Sequence, residues 1–287
     1  MKIGLCDLEF AHITSPTRYH DDAIPELMQW DRDKPESNKV VIFTERCYDQ
    51  ATERRFENNI RIAWALESPA IHGYSITDLK AGKHKNFHYI ITVSRDFMSW
   101  IEQNTEAKPI WYSPFGGWIR KEDHKIYQKT KNIQMIASKK DWCEGHRLRF
   151  EVANKLGNRV DKYGKAFKEF GYTLDVFKDY RYAIVIENIM MPDYFSDKLT
   201  SCFYTGTVPI MWNNGFISKY FDTDGMFLWK TIQELKNIVK YIENNPDDYE
   251  SKKKYIQHNF EIAKEYFSPD DFIYTQLFRE LYLNDKA

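Results

Sequence analysis

Residues 182–212 read YAIVIENIMMPDYFSDKLTSCFYTGTVPIMW. An apolar run ends in Glu187-Asn188, a loop with Pro192 follows, and a short stretch up to Gly206 leads into a second apolar run. Proline keeps the loop out of helix. Ser196 is a helix-capping residue type, and glycine suits the left-handed residue that ends a helix. The segment therefore reads strand, loop, helix, strand, with Tyr194, Asp197 and Lys198 gathered at the amino end of the helix. A lysine there faces the positive end of the backbone dipole, a mildly unfavourable placement. A phosphate held by the free backbone N–H groups would offset it. A surface Asp-Lys pair is the alternative that spacing alone leaves open.

The same kind of short apolar run recurs along the chain, at 2–6, 40–44, 60–66, 89–93, 109–112, 133–137, 183–186 and 208–212. Several are near-continuous rather than alternating, the pattern of strands covered on both faces. Helical patterns lie between or after them, at 97–103, 147–156 and in the stripe Ile232, Leu235, Ile238, Val239 and Ile242. This alternation predicts an α/β fold with largely parallel sheets. The polar stretch 120–131 is the expected linker, giving domains at 1–130 and 131–287, and the last fifty or so residues read as helices. Two such domains would face each other across a cleft at the carboxyl ends of their strands.

The 287 residues are 43% hydrophobic, 16% aromatic and 29% charged, which suits a globular protein with a substantial core. A net charge of -1 supports neither nucleic acid nor an anionic membrane as partner. Four cysteines are scattered without a C-x-x-C pair, as expected of reduced thiols in a cytoplasmic protein. The amino-terminal apolar run is too short for a signal peptide, and no run approaches the ~18 residues of a membrane span. The D-x-D strings at 31–33 and 222–224 are expected to be loop acids rather than metal ligands.

The opening segment resembles the donor-binding motif of the α1,3-fucosyltransferases, glycosyltransferase family ten. That motif runs Glu-Asn, a loop, a Tyr, Glu-Lys, and then a Gly-x-x-Pro strand entry. Glu187, Asn188, Tyr194, Lys198, Gly206 and Pro209 fall in step, and Asp197 stands where the family has Glu. The resemblance implies that Tyr194 and Asp197 contact the sugar and ribose of GDP-fucose and that Lys198 contacts the diphosphate. It gives Asn188 and Glu187 the adjoining loop. A second segment, SKKDWCEGHRLRFEVANKLGNRVDKYGKAF at 138–167, is similar to the family's Arg-x-Arg and Val-Asp-x-Tyr-Gly stretch. It puts Arg147 on the family arginine that contacts the diphosphate, and has Ser138-Lys139 in place of Ser-Asn.

A third segment lies nearer the amino terminus. IRIAWALESPAIHGY, residues 60–74, is an apolar strand that ends in Glu67-Ser68-Pro69. An acid at a strand's carboxyl tip is a candidate general base when partly buried, and a capping or ion-paired Glu is the other reading. W-x-x-E-S-P resembles the family's acceptor-side motif, whose Glu is the proposed base. The stretch from 86 to 118 parallels the family more loosely. The resemblance implies a GT-B-like architecture of two Rossmann-like domains and an inverting, metal-independent transfer of fucose from GDP-fucose to a hydroxyl of a glycan. Another nucleotide sugar, or a catalytically silent nucleotide- or sugar-binding protein, is the alternative.

Overall fold

The computed structural model describes residues 1–8, 25–116, 118–213, 215–279 and 281. The chain divides into two compact units, one made of Met1–Gly117 with Ser268–Ala287 and the other of Trp118–Phe267.

In the first unit the strands are β1 (Lys2–Cys6), β2 (Gln29–Asp31), β3 (Val40–Thr44), β4 (Ile60–Ala65), β5 (Tyr89–Thr92) and β6 (Lys108–Trp111). They form a sheet in the order β2-β1-β3-β4-β5-β6, and every pairing is parallel. The β-branched run Val40–Thr44 is buried at every residue because both faces of the sheet are covered. Helices α1 (Pro69–Lys80) and α2 (Arg95–Asn104) are the crossovers into β5 and β6. The core gathers Val41, Phe43, Phe56, Ala63, Ile90, Phe97 and Ile101.

In the second unit the elements run β7 (Lys131–Ile136), α3 (Glu144–Leu156), β8 (Asp161–Tyr163), β9 (Tyr180–Val185), α4 (Asp197–Thr205), β10 (Val208–Trp212) and β11 (Phe227–Trp229). Helices α5 (Ile232–Asn244), α6 (Asp248–Ser251) and α7 (Lys253–Ala263) follow. The sheet order is β11-β10-β9-β7-β8, again wholly parallel. Val152, Leu156, Ile184, Ile210, Trp229, Leu235 and Val239 fill its core.

The segment 120–131 is not a linker. Lys125 and Tyr127 donate their N–H groups to the carbonyls of Tyr204 and Thr205, at 2.9 and 3.2 Å. The Lys129 ammonium is buried, donating to Thr205 O (2.7 Å), Thr207 Oγ1 (3.0 Å), Phe177 O (3.2 Å) and Lys178 O (3.2 Å). Burial pushes its pKa down to about 7, while those acceptors satisfy its N–H groups. The units thus meet at 117/118 rather than 130/131.

The C-terminal helix α8 (Pro269–Phe278) belongs with the first unit, not the second. Its Asp271 carboxylate accepts the N–H groups of Glu26 and Leu27 at 3.1 and 2.9 Å. Its Phe272 ring meets Trp111 and Phe115 edge-on, centroids 5.8 and 5.3 Å apart. No helix among the described residues is long and apolar enough to cross a membrane.

Candidate active site

The residues expected to bind the donor sit at the carboxyl end of β9 and the start of α4. Ser196 is the N-cap, accepting the Lys198 N–H on Oγ at 3.3 Å. At the far end Gly206 takes φ +71°, the left-handed cap that a side chain would strain. Nine residues of helix are thereby fixed with their free N–H groups beside the strand end.

Glu187 is the buried centre of this cluster, its side chain 2% exposed. Its carboxylate accepts the Ser196 N–H at 2.9 Å and the Ser196 hydroxyl at 2.8 Å. Its role here is structural: it ties the loop to the helix start. The Lys198 ammonium lies 3.7 Å from Glu187, 3.6 Å from Asp197 and 3.1 Å from Ser196 Oγ, with about a third of its side chain in solvent. Burial raises the Asp197 carboxyl above its ordinary value, against the lowering effect of Lys198 beside it. Tyr194 is buried at 4% exposure. Asp193 before it holds φ +58°, rare outside glycine, and pairs with Lys219 at 3.0 Å.

Helix α3 docks on the same loop. The Gly145 N–H donates to Asn188 O at 3.1 Å. Arg149, buried, donates through Nε and Nη2 to Ile186 O at 3.0 and 2.6 Å, and through Nη2 to Asn188 Oδ1 at 3.1 Å. So Glu187, Asp197 and Lys198 come together at the start of α4, with Tyr194 buried in the loop just before it, and the arginine that ties Asn188 and the strand end to α3 is Arg149. Arg147 lies on the exposed side of the first turns of α3, donating through Nη1 to Asp141 O at 3.0 Å.

Sequence reasoning missed Gly145, Arg149 and His146. The Arg-x-Arg spacing was the available signal for Arg149, since residues two apart on a helix point in different directions. His146 is 4% exposed, and among the described residues its Nδ1 has no hydrogen-bond partner. Burial, joined by the charges of Arg149, Lys140 and Lys198, lowers its pKa to about 4.

Glu67 belongs to the first unit. It follows β4 and precedes Ser68, the N-cap of α1, so Pro69 opens a helix rather than merely ending a strand. The Glu67 N–H donates at 2.9 Å to Oε1 of Glu45, a buried acid unnoticed in the sequence. Glu67 itself is half-buried. Two of the four D-x-D acids bond within their own loops. Asp31 accepts from Lys34 N and Asn38 Nδ2 at 3.0 and 3.2 Å, and Asp222 accepts from Asp224 N at 3.0 Å. Among the described residues no three His, Cys, Asp or Glu side chains are placed to hold a metal ion.

Comparison with solved structures finds the same fold. The chain is similar to an α1,3-fucosyltransferase crystallised with GDP, at 13% identity over 88% of this chain and 80% of that one, with a TM-score of 0.51. A further α1,3-fucosyltransferase structure gives 13% identity, 93% and 92% coverage and 0.51. The Anabaena protein HepE, in complex with UDP and glucose, gives 12%, 86%, 78% and 0.59. At these identities the likeness is one of fold, two parallel-sheet α/β units of GT-B type. No curated protein sequence matches the chain. The model of glycosyltransferase family 10 (fucosyltransferase), C-terminal part, matches residues 126–280, which span α3, the Glu187–Asn188 loop and α4. Because that match covers more than half of the 287 residues, the chain belongs to glycosyltransferase family 10 and is a glycosyltransferase.

Proposed function

We propose that the protein transfers fucose from GDP-fucose to a hydroxyl of a glycan acceptor, with inversion at the anomeric carbon and without a metal ion. The observation that carries this is the Lys198 ammonium set at the amino end of α4 and steadied by Glu187, Asp197 and Ser196. Backbone N–H groups, dipole and cation there suit a diphosphate.

In this reading Glu67 takes the proton from the acceptor hydroxyl as its oxygen forms the new bond to C1 of the sugar. The C1–O bond to the diphosphate breaks on the opposite face, and its electron pair leaves with GDP. Lys198 and Arg147 receive the charge that develops on the leaving group. Tyr194 and Asp197 orient sugar and ribose, while Asn188 and Glu187 keep the loop in shape. The free, buried cysteines fit a reducing compartment such as the cytoplasm.

A second reading, transfer from a UDP-sugar, is favoured by Asp197 in place of the family Glu and by the HepE complex with UDP and glucose. A thermal-shift panel of GDP, UDP and their sugars separates the two, because the fitting ligand raises Tm most. Stabilisation by GDP and GDP-fucose, followed by fucose transfer on a glycan array, is the expected result. Stabilisation by UDP compounds alone would replace the donor, and no stabilisation with no transfer would leave the reading without support.

A further inference from the structure

The loop before α3 sets Lys140 and Trp142 beside the start of that helix. The carbonyl of Asp141 accepts from Arg147 at 3.0 Å, so this loop and Arg147 are positioned together. Trp142 is 64% exposed and sets its ring edge-on to the buried His146, centroids 6.2 Å apart. The Lys140 ammonium lies 4.6 Å above the Trp142 ring, and among the described residues it has no carboxylate partner.

An indole that exposed gains little from packing, but its face holds a cation weakly. That hold is weak enough to be surrendered to a phosphate, whose charge-assisted hydrogen bonds are stronger. His146 supplies the second observation. It is buried, its Nδ1 is unpartnered among the described residues, and the fields of Lys140 from the loop, Arg149 from α3 and Lys198 from α4 all bear on its ring. Asp141 is the acid that opposes them. Lys140 and Lys198 thus lie on the surroundings of one imidazole at the amino end of α3, where the helix N–H groups also favour an anion.

We propose that Lys140 is a further diphosphate-binding residue, a third cation beside Arg147 and Lys198, kept on the Trp142 ring until the nucleotide arrives. The inference rests on the nucleotide-sugar reading above. Lys140 contacts a phosphate oxygen of the bound nucleotide, and Trp142 directs it without touching the diphosphate.

Isothermal titration of the whole protein with GDP and with guanosine tests this, using wild type, Lys140→Met, Trp142→Ala and the double variant. Both positions are on the surface, and Lys140→Gln serves as a second variant should the first not fold. Lys140→Met is expected to weaken GDP binding about tenfold and to leave guanosine unchanged. Trp142→Ala, which removes a contact given up on binding, should not weaken GDP, and the double variant should match Lys140→Met alone. GDP bound equally by wild type and Lys140→Met, or equal losses for GDP and guanosine, would overturn the assignment. A loss of GDP affinity in Trp142→Ala, or a double variant weaker than Lys140→Met, would overturn the part given to Trp142. Failure of wild type to bind GDP or UDP is a different outcome: it would take down the nucleotide-sugar reading itself.

Discussion

A Cβ placed on Gly145 would stand 1.8 Å from the carbonyl oxygen of Glu187, while the Gly145 N–H already donates to Asn188 O at 3.1 Å. Helix α3 approaches the Glu187–Asn188 loop so closely that only a residue without a side chain fits there. Gly145→Ala must therefore push α3 off the loop and carry Arg149 and Arg147 with it. A loss of about 1–3 kcal/mol is expected, read as a Tm lower by several degrees, with weaker GDP binding. Gly73→Ala, where a Cβ meets nothing within 4 Å, should leave both unchanged. A Gly145→Ala protein with wild-type Tm and affinity would show that the loop yields freely.

Glu67→Gln keeps shape and backbone and removes the capacity to accept a proton. Donor binding should stay near wild type, while turnover falls by about a hundredfold or more. Steady-state kinetics beside GDP titration checks both halves, and unchanged turnover would remove Glu67 from the reaction.

Lys198→Ala should weaken GDP binding by roughly tenfold to a hundredfold, the range of a lost charged hydrogen bond. It also leaves Glu187 without its cation, so the melting curve belongs beside the calorimetry. Equal GDP affinity in variant and wild type would discard the phosphate role.

Arg147 and Lys198 are proposed to meet the leaving-group charge themselves. Transfer measured after dialysis against EDTA should equal the untreated rate. A fall reversed by added magnesium would put a metal ion into the reaction.

His124 is half-buried and His146 buried, and desolvation lowers each from 6.5 to about 4, with the Ile119 carbonyl partly opposing this at His124. The folded protein keeps these rings neutral where the unfolded chain would protonate them. Stability is then full above pH 6.5 and is lost as pH falls toward 4, on the order of 2 kcal/mol for each ring. Melting curves between pH 7 and 4.5 should show the fall, and His124→Gln with His146→Gln should flatten it. A double variant as acid-sensitive as wild type would point to other groups.

Much of the fold was legible because continuous apolar runs such as 40–44 and 208–212 are what doubly covered parallel strands require. Ser196 and Gly206 marked both ends of α4 correctly, which is why Lys198 could be placed at a helix start. The short strands Gln29–Asp31, Asp161–Tyr163 and Phe227–Trp229 were missed because each is three residues long at a sheet edge; the first two have no apolar run, and Met226–Trp229 is apolar but too short to tell strand from loop. Lys129 misled for the opposite reason: a lysine reads as solvated, and only the folded chain brings acceptors around it. Gly145 and Arg149 owe their importance to a helix packing on a loop some forty positions away in the chain, and such an approach leaves no local trace.

Asp271 and Phe272 close the first unit with residues made some 150 positions after the rest of it. On the ribosome, then, the second unit can complete itself while the first still waits for a last helix. Trp111 and Phe115 remain uncovered through that interval. Of the two halves, the one bearing Glu67 is where a stalled or shortened translation product would first expose sticky surface to chaperones and proteases.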